Sequence, residues 1–294
     1  IESLKNIDFK FKKNMKILIK PNLLYPTKPE EAITTHPVII EELCKILKKY
    51  NPEIYIGDSS SYDTDLALKV SGMSKLSKYA KIINFESISK KVLILGKNSN
   101  RIQIPKILFD VDLIINVAKM KTHSLTKVTL CVKNLYGCIP GKLKQNLHKV
   151  YPAPDDFSEF LLELYKKIKP ELNIIDGVVG IEGEGPAKSG TLINSNLILA
   201  GKNAIAVDII GSEIMGFNPY EIFTNKFSEM KRSEIESIGN GKDIKLKFKK
   251  SKISFFQTFS FISRIFLKPK IKFEQEKCIK CLICEKKCPV QAIK

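Results

Sequence analysis

Arginine is scarce in this chain. Only three of its 49 basic residues are arginine (Arg101, Arg232 and Arg264). A net charge of +18 invites a nucleic-acid reading. The forked contacts that read bases and grip phosphates are mostly arginine work, however. Zinc-finger and RNP1 motifs are missing too, so the lysine excess reads as solvated surface and nucleic acid is not an expected partner. Long apolar runs are also lacking: none approaches the roughly 18 residues a membrane span needs. The opening residues, IESLKNIDFKFKKN, have neither the apolar core nor the small-residue cleavage site of a signal peptide. The seven cysteines lack the distribution of a disulfide framework, because four of them crowd into the last seventeen residues. Thiolates clustered in that way call for a reducing compartment, and the expected location is cytoplasmic.

What is present is an alternation of β-like and helix-like stretches over the first 220 or so residues. MKILIKP (15–21), EIYIGDSS (53–60), KIINF (81–85), KVLILG (91–96), DLIINVAKM (112–120), LNIIDGVVG (172–180) and SNLILAG (195–201) read as strands. Residues 36–50, 64–80, 156–170 and 203–216 read as helices. His36-Pro37 starts the first, Gly72 interrupts the second, Pro170 stops the third and Gly216 ends the fourth. In the first helix Val38, Leu43, Ile46 and Leu47 share a face. Apolar strands alternating with helices predict an α/β fold with a largely parallel sheet flanked by helices. Ligands in such sheets sit at the carboxyl ends of the strands. The domain reading is an α/β body over 1–243, a basic Phe-rich linker over 244–273, and a small C-terminal segment over 274–294. The linker holds nine basic and no acidic residues. Phe255, Phe259, Ile262 and Phe266 form a stripe there. It is either a helix packed between domains or an interfacial helix, at 251–267, lying on an anionic membrane surface.

The terminal segment carries the sharpest motif. Cys278, Cys281, Cys284 and Cys288 read C-x2-C-x2-C-x3-C-P. This spacing wraps thiolates and backbone amides around one face of a cubane, as in bacterial-type 4Fe–4S sites. Zinc sites instead split their ligands into two separated pairs. The expected cofactor is one 4Fe–4S cluster in a ferredoxin-like segment, with Cys288 as fourth ligand. In two-cluster ferredoxins that fourth cysteine serves the other cluster. No later run is present, so either a second half has been lost or Cys288 folds back onto this cluster. Cys44, Cys131 and Cys138 lack ligand spacing and read as small buried hydrophobes.

A second dense stretch, NVAKMKTHSLTKVTLCVKNLYGCIPG (116–141), follows a strand and gathers Lys119, Lys121, His123, Lys133 and Asn134. This stretch, together with IKPN (19–22), GDSS (57–60), DGVVGIEGEGP (176–186) and LILAGKNAIAVDIIGSEIMG (197–216), resembles the DUF362 family in content and order. The resemblance covers roughly residues 15–220. It implies a fold and, through the ferredoxin-type terminus common in that family, a cofactor rather than a reaction. Read from the residues, Lys20, Asn22, Asp58, Ser59, Lys133 and Asn134 could converge with Lys119, Lys121 and His123 on a cationic pocket for a small anionic substrate or cofactor, with His123 as acid or base. The plainer alternative leaves the lysines solvated and His123 capping the next segment.

DGVVGIEGEGPAKSG fails as a phosphate loop, because Pro186 and Ala187 intervene before Lys188-Ser189 and a strand follows. Asp176, Glu182 and Glu184 either bind a divalent cation or pair with lysines. Asp208, in an apolar helix, either holds a pocket lysine or faces the polar edge. His148 sits in a Lys-rich loop. Two functions remain. One is an iron–sulfur oxidoreductase passing electrons to an anion at the strand ends, with a redox partner protein. The other is a ligand-binding or sensor protein whose cluster is structural.

Overall fold

A computed structural model describes residues 2–97, 99–141 and 143–251. All of these belong to the first of two compact units, residues 1–252. Nine strands occur among them: β1 Lys16–Lys20, β2 Glu53–Asp58, β3 Lys81–Asn84, β4 Lys90–Leu95, β5 Asn100–Pro105, β6 Leu113–His123, β7 Lys127–Thr129, β8 Leu172–Gly183 and β9 Gly190–Gly201. The α-helices are α1 Glu2–Asn6, α2 Pro37–Lys48, α3 Thr64–Val70, α4 Cys131–Asn134, α5 Leu143–Val150, α6 Pro154–Ile168, α7 Ala204–Ile214 and α8 Phe223–Phe227.

The main sheet runs β3-β2-β1-β6-β8-β9, with β7 folded back on the end of β6. Pairings from β3 to β8 are parallel, while β9 and β7 are antiparallel. The protein is therefore α/β with a mostly parallel sheet flanked by helices. One core, around Ile19, Ile40, Leu43, Cys44, Ile56 and Val117, fills the α2 and α3 side. The other, around Met120, Leu135, Phe157, Phe160, Leu161 and Ile209, fills the α4, α6 and α7 side. Helix α2 begins as expected, with His36 as cap accepting from the Val38 amide and Pro37 in the first turn. Its buried face is Ile40, Leu43, Cys44 and Leu47, whereas Val38 is exposed. A 3.6-residue period starting at residue 40 rather than 38 accounts for the shift. Gly72 stands at φ +79° where α3 gives way to a 3-10 turn, and Gly216 at φ +83° just past α7.

Several expectations need correction. Residues 91–96 are a strand but not in the main sheet: β4 and β5 form a separate antiparallel ribbon. The stretch 195–201 is not a buried strand. It lies in the edge strand β9, only two of whose twelve residues are buried, as antiparallel edges allow. The segment 176–190 is not a Gly-rich loop but the arms and tip of the β8–β9 hairpin. His148 lies on α5, packed edge-on to Tyr136 and against Phe157, not in a loop. Compact packing also continues past residue 243. Leu246 and Phe248 donate backbone amides to Ile214 and Met215 at 2.7 and 3.1 Å, and the Phe248 ring is buried. The stripe of Phe255, Phe259, Ile262 and Phe266, and the four cluster cysteines, lie outside the described residues.

Candidate functional site

Parallel pairing brings the ends of β1, β2 and β6 to one edge, and the segment 21–36 crosses over it. The residues gathered there are polar but deeply buried. Lys20 and Asp58 are fully buried and form an ion pair at 2.8 Å. The Asp58 carboxylate also accepts the amides of Leu23 at 2.8 Å and Ser59 at 2.9 Å. One carboxylate thus ties β1, β2 and the crossing segment together. Ser59 turns its hydroxyl onto the carbonyls of Gly137 and Ile139. Gly137 is obligatory at this contact, since a β-carbon there would stand 2.2 Å from Asp58 Oδ1 and 2.6 Å from Lys20 Nζ.

Lys121, Asn22 and Asn134 of the predicted set share one hydrogen-bond network. Lys121 Nζ donates to Asn22 Oδ1 and to the Ile33 carbonyl, both at 2.7 Å. Asn22 donates to Asn134 at 2.9 Å, Asn134 to Asn116 at 2.8 Å, and Asn116 to Asn173 at 3.0 Å. This amide chain fixes Lys121 between β6 and the crossing segment. Lys119 donates to Asp176 at 2.9 Å, and the same Asp176 oxygen accepts the His36 amide, also at 2.9 Å. Lys119 and Lys20 are therefore committed to carboxylates inside the protein. They support the site rather than meet a ligand, because β6 runs to residue 123 and encloses positions that a strand ending at 120 would have exposed.

Three further neighbours stand beside this network, of which Lys144 was not foreseen. Lys144, on α5, is buried and donates to the carbonyls of Ser59 and Ser60. Its only sequence signal was lysine in a loop-like stretch. Lys133 is half-buried, with its ammonium 5.5 Å from the ring centroids of both Tyr136 and Phe157. His123 is half-buried, and its Nδ1 accepts the amides of Leu125 at 3.0 Å and Thr126 at 3.3 Å. That leaves Nε2 as the protonated nitrogen of the neutral ring. Burial first, then Lys133, His148 and Lys121, hold its pKa well below the usual imidazole range. In this geometry the neutral His123 ring is a hydrogen-bond donor through Nε2, and protonating Nδ1 would break two backbone bonds.

The electrostatics are one-sided. Burial, with Lys133 and Lys119 adding, pushes the Lys121 ammonium well below its ordinary pKa. Burial and Lys144 push Lys133 down to about 8, and burial brings Lys144 to about 8 as well. His148 falls to about 4, through burial and then Lys133. Asp208 has neither expected role. Its two oxygens accept the amides of Cys131 at 2.7 Å and Val132 at 3.0 Å, so it caps α4 from α7. Burial outweighs those two bonds and raises its pKa to about 7. Asp176, Glu182 and Glu184 do not converge on a cation site. Asp176 serves Lys119, Glu182 accepts the Lys249 amide and Glu184 the Ser251 hydroxyl, each at 2.9 Å. Among the described residues no cluster of three His, Cys, Asp or Glu is set to hold a metal. No helix among them is long and apolar enough to cross a membrane. A cavity of about 750 Å³ beside β9 and α7 contains none of the residues of this cluster.

The chain is similar to several known proteins. A relative from Synechocystis sp., described as a thylakoid-associated protein, is 29% identical over 211 residues, or 71% of this chain. The chain spans 65% of that relative's length. Among solved structures, the lactate racemase apoprotein of Thermoanaerobacterium thermosaccharolyticum is 16% identical with a TM-score of 0.45, over 66% of this chain and 46% of that one. A Thermotoga maritima protein is 15% identical with a TM-score of 0.41, over 74% and 55% of the two chains. Residues 271–294 match the 4Fe-4S binding domain, and their four thiolates at cubane spacing are the donor set such a cluster requires. This is therefore an iron–sulfur protein with a 4Fe–4S cofactor. Residues 17–213 match the domain of unknown function DUF362, and the chain belongs to that family.

Proposed function

We propose that the α/β body binds a small anion where Lys133 and His123 reach solvent, with Lys121 behind them, and that the protein is a reductase of that anion. The observation that carries this reading is the surplus of cations. Lys121 and Lys144 donate only to neutral oxygens, and Lys133 has no hydrogen-bond or ion-pair partner among the described residues. Of the carboxylates acting on Lys144, Asp58 is already committed to Lys20 and Glu86 accepts the Thr64 hydroxyl. Buried positive charge without a counter-charge is costly, and an incoming anion relieves that cost. The neutral His123 ring offers its Nε2 proton to such an anion. A 4Fe–4S cluster held by Cys278, Cys281, Cys284 and Cys288 supplies one-electron transfer when bound. The body's residues contribute orientation and charge: Asp58 and the amide chain from Asn22 to Asn173 hold the lysines in place.

The reading is tested on the full chain with its cluster reconstituted anaerobically. Sulfate should raise the unfolding temperature more than chloride at equal ionic strength, and Lys133→Gln should abolish the difference. Because Lys133 titrates at about 8, sulfate affinity should fall as pH rises above that value. Sulfate indistinguishable from chloride in the native chain removes the anion site. A cluster that dithionite does not reversibly reduce removes the reductase and leaves the structural or sensor role.

A further inference from the structure

We propose that Lys133 is a nucleophilic amine that forms an imine with a carbonyl compound bearing an anionic group. This rests on the anion-binding reading of the same site and adds a covalent step to it. Sorting the lysines of the cluster by their partners singles Lys133 out. Lys20 donates to Asp58 and to the Pro21 carbonyl, and Lys119 to Asp176. Lys121 is held by Asn22 and Ile33, and Lys144 by Ser59 and Ser60. A lysine fixed by protein acceptors is not free to swing onto a carbonyl carbon, whatever its charge. Among the described residues, Lys133 Nζ meets the ring faces of Tyr136 and Phe157 and has no hydrogen-bond or ion-pair partner.

Such a setting suits a reactive amine. Desolvation and a neighbouring cation are the two ways proteins activate lysine as a nucleophile. Both act on Lys133, whose amine titrates at about 8 through burial and Lys144. At pH 7 roughly a tenth of it is free amine, against fewer than about one in a thousand for an ordinary lysine. The place for the anionic group lies alongside. Lys121 is buried, and its strand partner across β6 and β7 is Thr129. The hydroxyls of Thr129 and Thr34 are both buried without a hydrogen-bond partner. Thr34 directly follows Ile33, whose carbonyl holds Lys121. Unpaired buried polar groups are otherwise rare, and these two hydroxyls lie on the two segments that hold Lys121.

The chemistry balances without an oxidant or reductant. The amine lone pair adds to the carbonyl carbon, and the carbonyl oxygen takes a proton to give a carbinolamine. That hydroxyl then leaves as water after a second protonation, giving the C=N bond. Net, one amine and one carbonyl yield one imine and one water. The protonated imine retains positive charge over the same two rings, where cation–π attraction persists.

The test is reductive trapping with cyanoborohydride on the anaerobic, cluster-loaded full chain at pH 7. Glyoxylate and pyridoxal 5′-phosphate supply a carboxylate and a phosphate arm, and acetaldehyde supplies a carbonyl without an anion. Peptide mapping should find the adduct at Lys133 at least about tenfold above other lysines. Sulfate should protect Lys133, and its trapping rate should rise through about pH 8. Whichever anionic probe labels faster identifies the class. Lys133→Arg should lose the adduct while its circular dichroism stays native. An adduct spread over exposed lysines overturns the proposal, and so does equal labelling by acetaldehyde. Sulfate stabilisation without any Lys133 adduct sinks the imine and leaves the anion site standing. No sulfate stabilisation and no adduct sinks both.

Discussion

Asp58→Asn is the most exacting perturbation of this architecture. The native carboxylate makes one ion pair and two backbone hydrogen bonds, at 2.8, 2.8 and 2.9 Å. An amide at the same place removes the charge and turns one acceptor into a donor that faces either an N–H or the Lys20 ammonium. Lys20 is fully buried, and its remaining acceptor is the Pro21 carbonyl at 3.1 Å. Breaking a buried pair from one side typically costs about 3–5 kcal/mol, because the other charge stays behind uncompensated. For a body of this size that lowers the unfolding temperature by roughly 6–20 °C. Lys20→Met removes the stranded ammonium, so the double variant should recover part of the loss, with a coupling energy of about 1–3 kcal/mol. The assay is urea and thermal unfolding of the four proteins by far-UV circular dichroism, with the cluster loaded in each. Single variants that cost less than about 1 kcal/mol and combine additively would refute the claim that this pair holds the strand ends together.

Three further outcomes follow from the same geometry. Gly137→Ala should destabilise the body by at least about 2 kcal/mol in the same urea assay, since its β-carbon would strike Asp58 and Lys20 in a fully packed setting. Asp208→Ala, which leaves two buried amides of α4 unpaired, should cost about 2–4 kcal/mol. Because Asp208 is raised to about 7 from its ordinary 3.8, the folded state holds its proton more tightly than the unfolded. Its favourable contribution is present below pH 3.8 and lost as pH rises through 7, so the difference in stability between Asp208→Asn and the native chain should change across that window; a pH-independent difference would show the carboxyl is not perturbed. Anaerobic reconstitution should give about four irons and four sulfides per chain, as a single C-x2-C-x2-C-x3-C run requires, and Cys288→Ser should lower that count.

Much of the fold was legible because its signals are local. Short β-branched runs alternating with amphipathic helices carry the α/β class, and His36-Pro37, Gly72 and Gly216 mark their boundaries through backbone restrictions that hold in any context. Strand partners are not local. Residues 91–96 carry the same pattern whether they pair with β5 or with the main sheet, and the choice is made by tertiary contact. The exposed face of β9 and the extension of β6 to His123 escaped for the same reason. Apolar content predicts burial only where both faces are covered.

The site shows the reverse of what polarity suggests. Lysines at strand ends were expected either to line a ligand pocket or to be solvated, yet Lys20, Lys119 and Lys121 are buried and committed within the fold. Each is matched inside the fold by Asp58, Asp176 or Asn22, residues 38, 57 and 99 positions away in sequence. Sequence spacing says nothing about such pairs, because parallel strands bring together chain segments separated by whole crossovers. The same matching explains why Lys133 stands apart. A polar network that satisfies its members fixes them and removes them from chemistry, whereas a cation left among ring faces remains available to a ligand. The residue we propose as the ligand's contact at this edge is therefore marked less by its identity than by having no polar partner among the described residues, which is visible only once every neighbouring lysine has been assigned one.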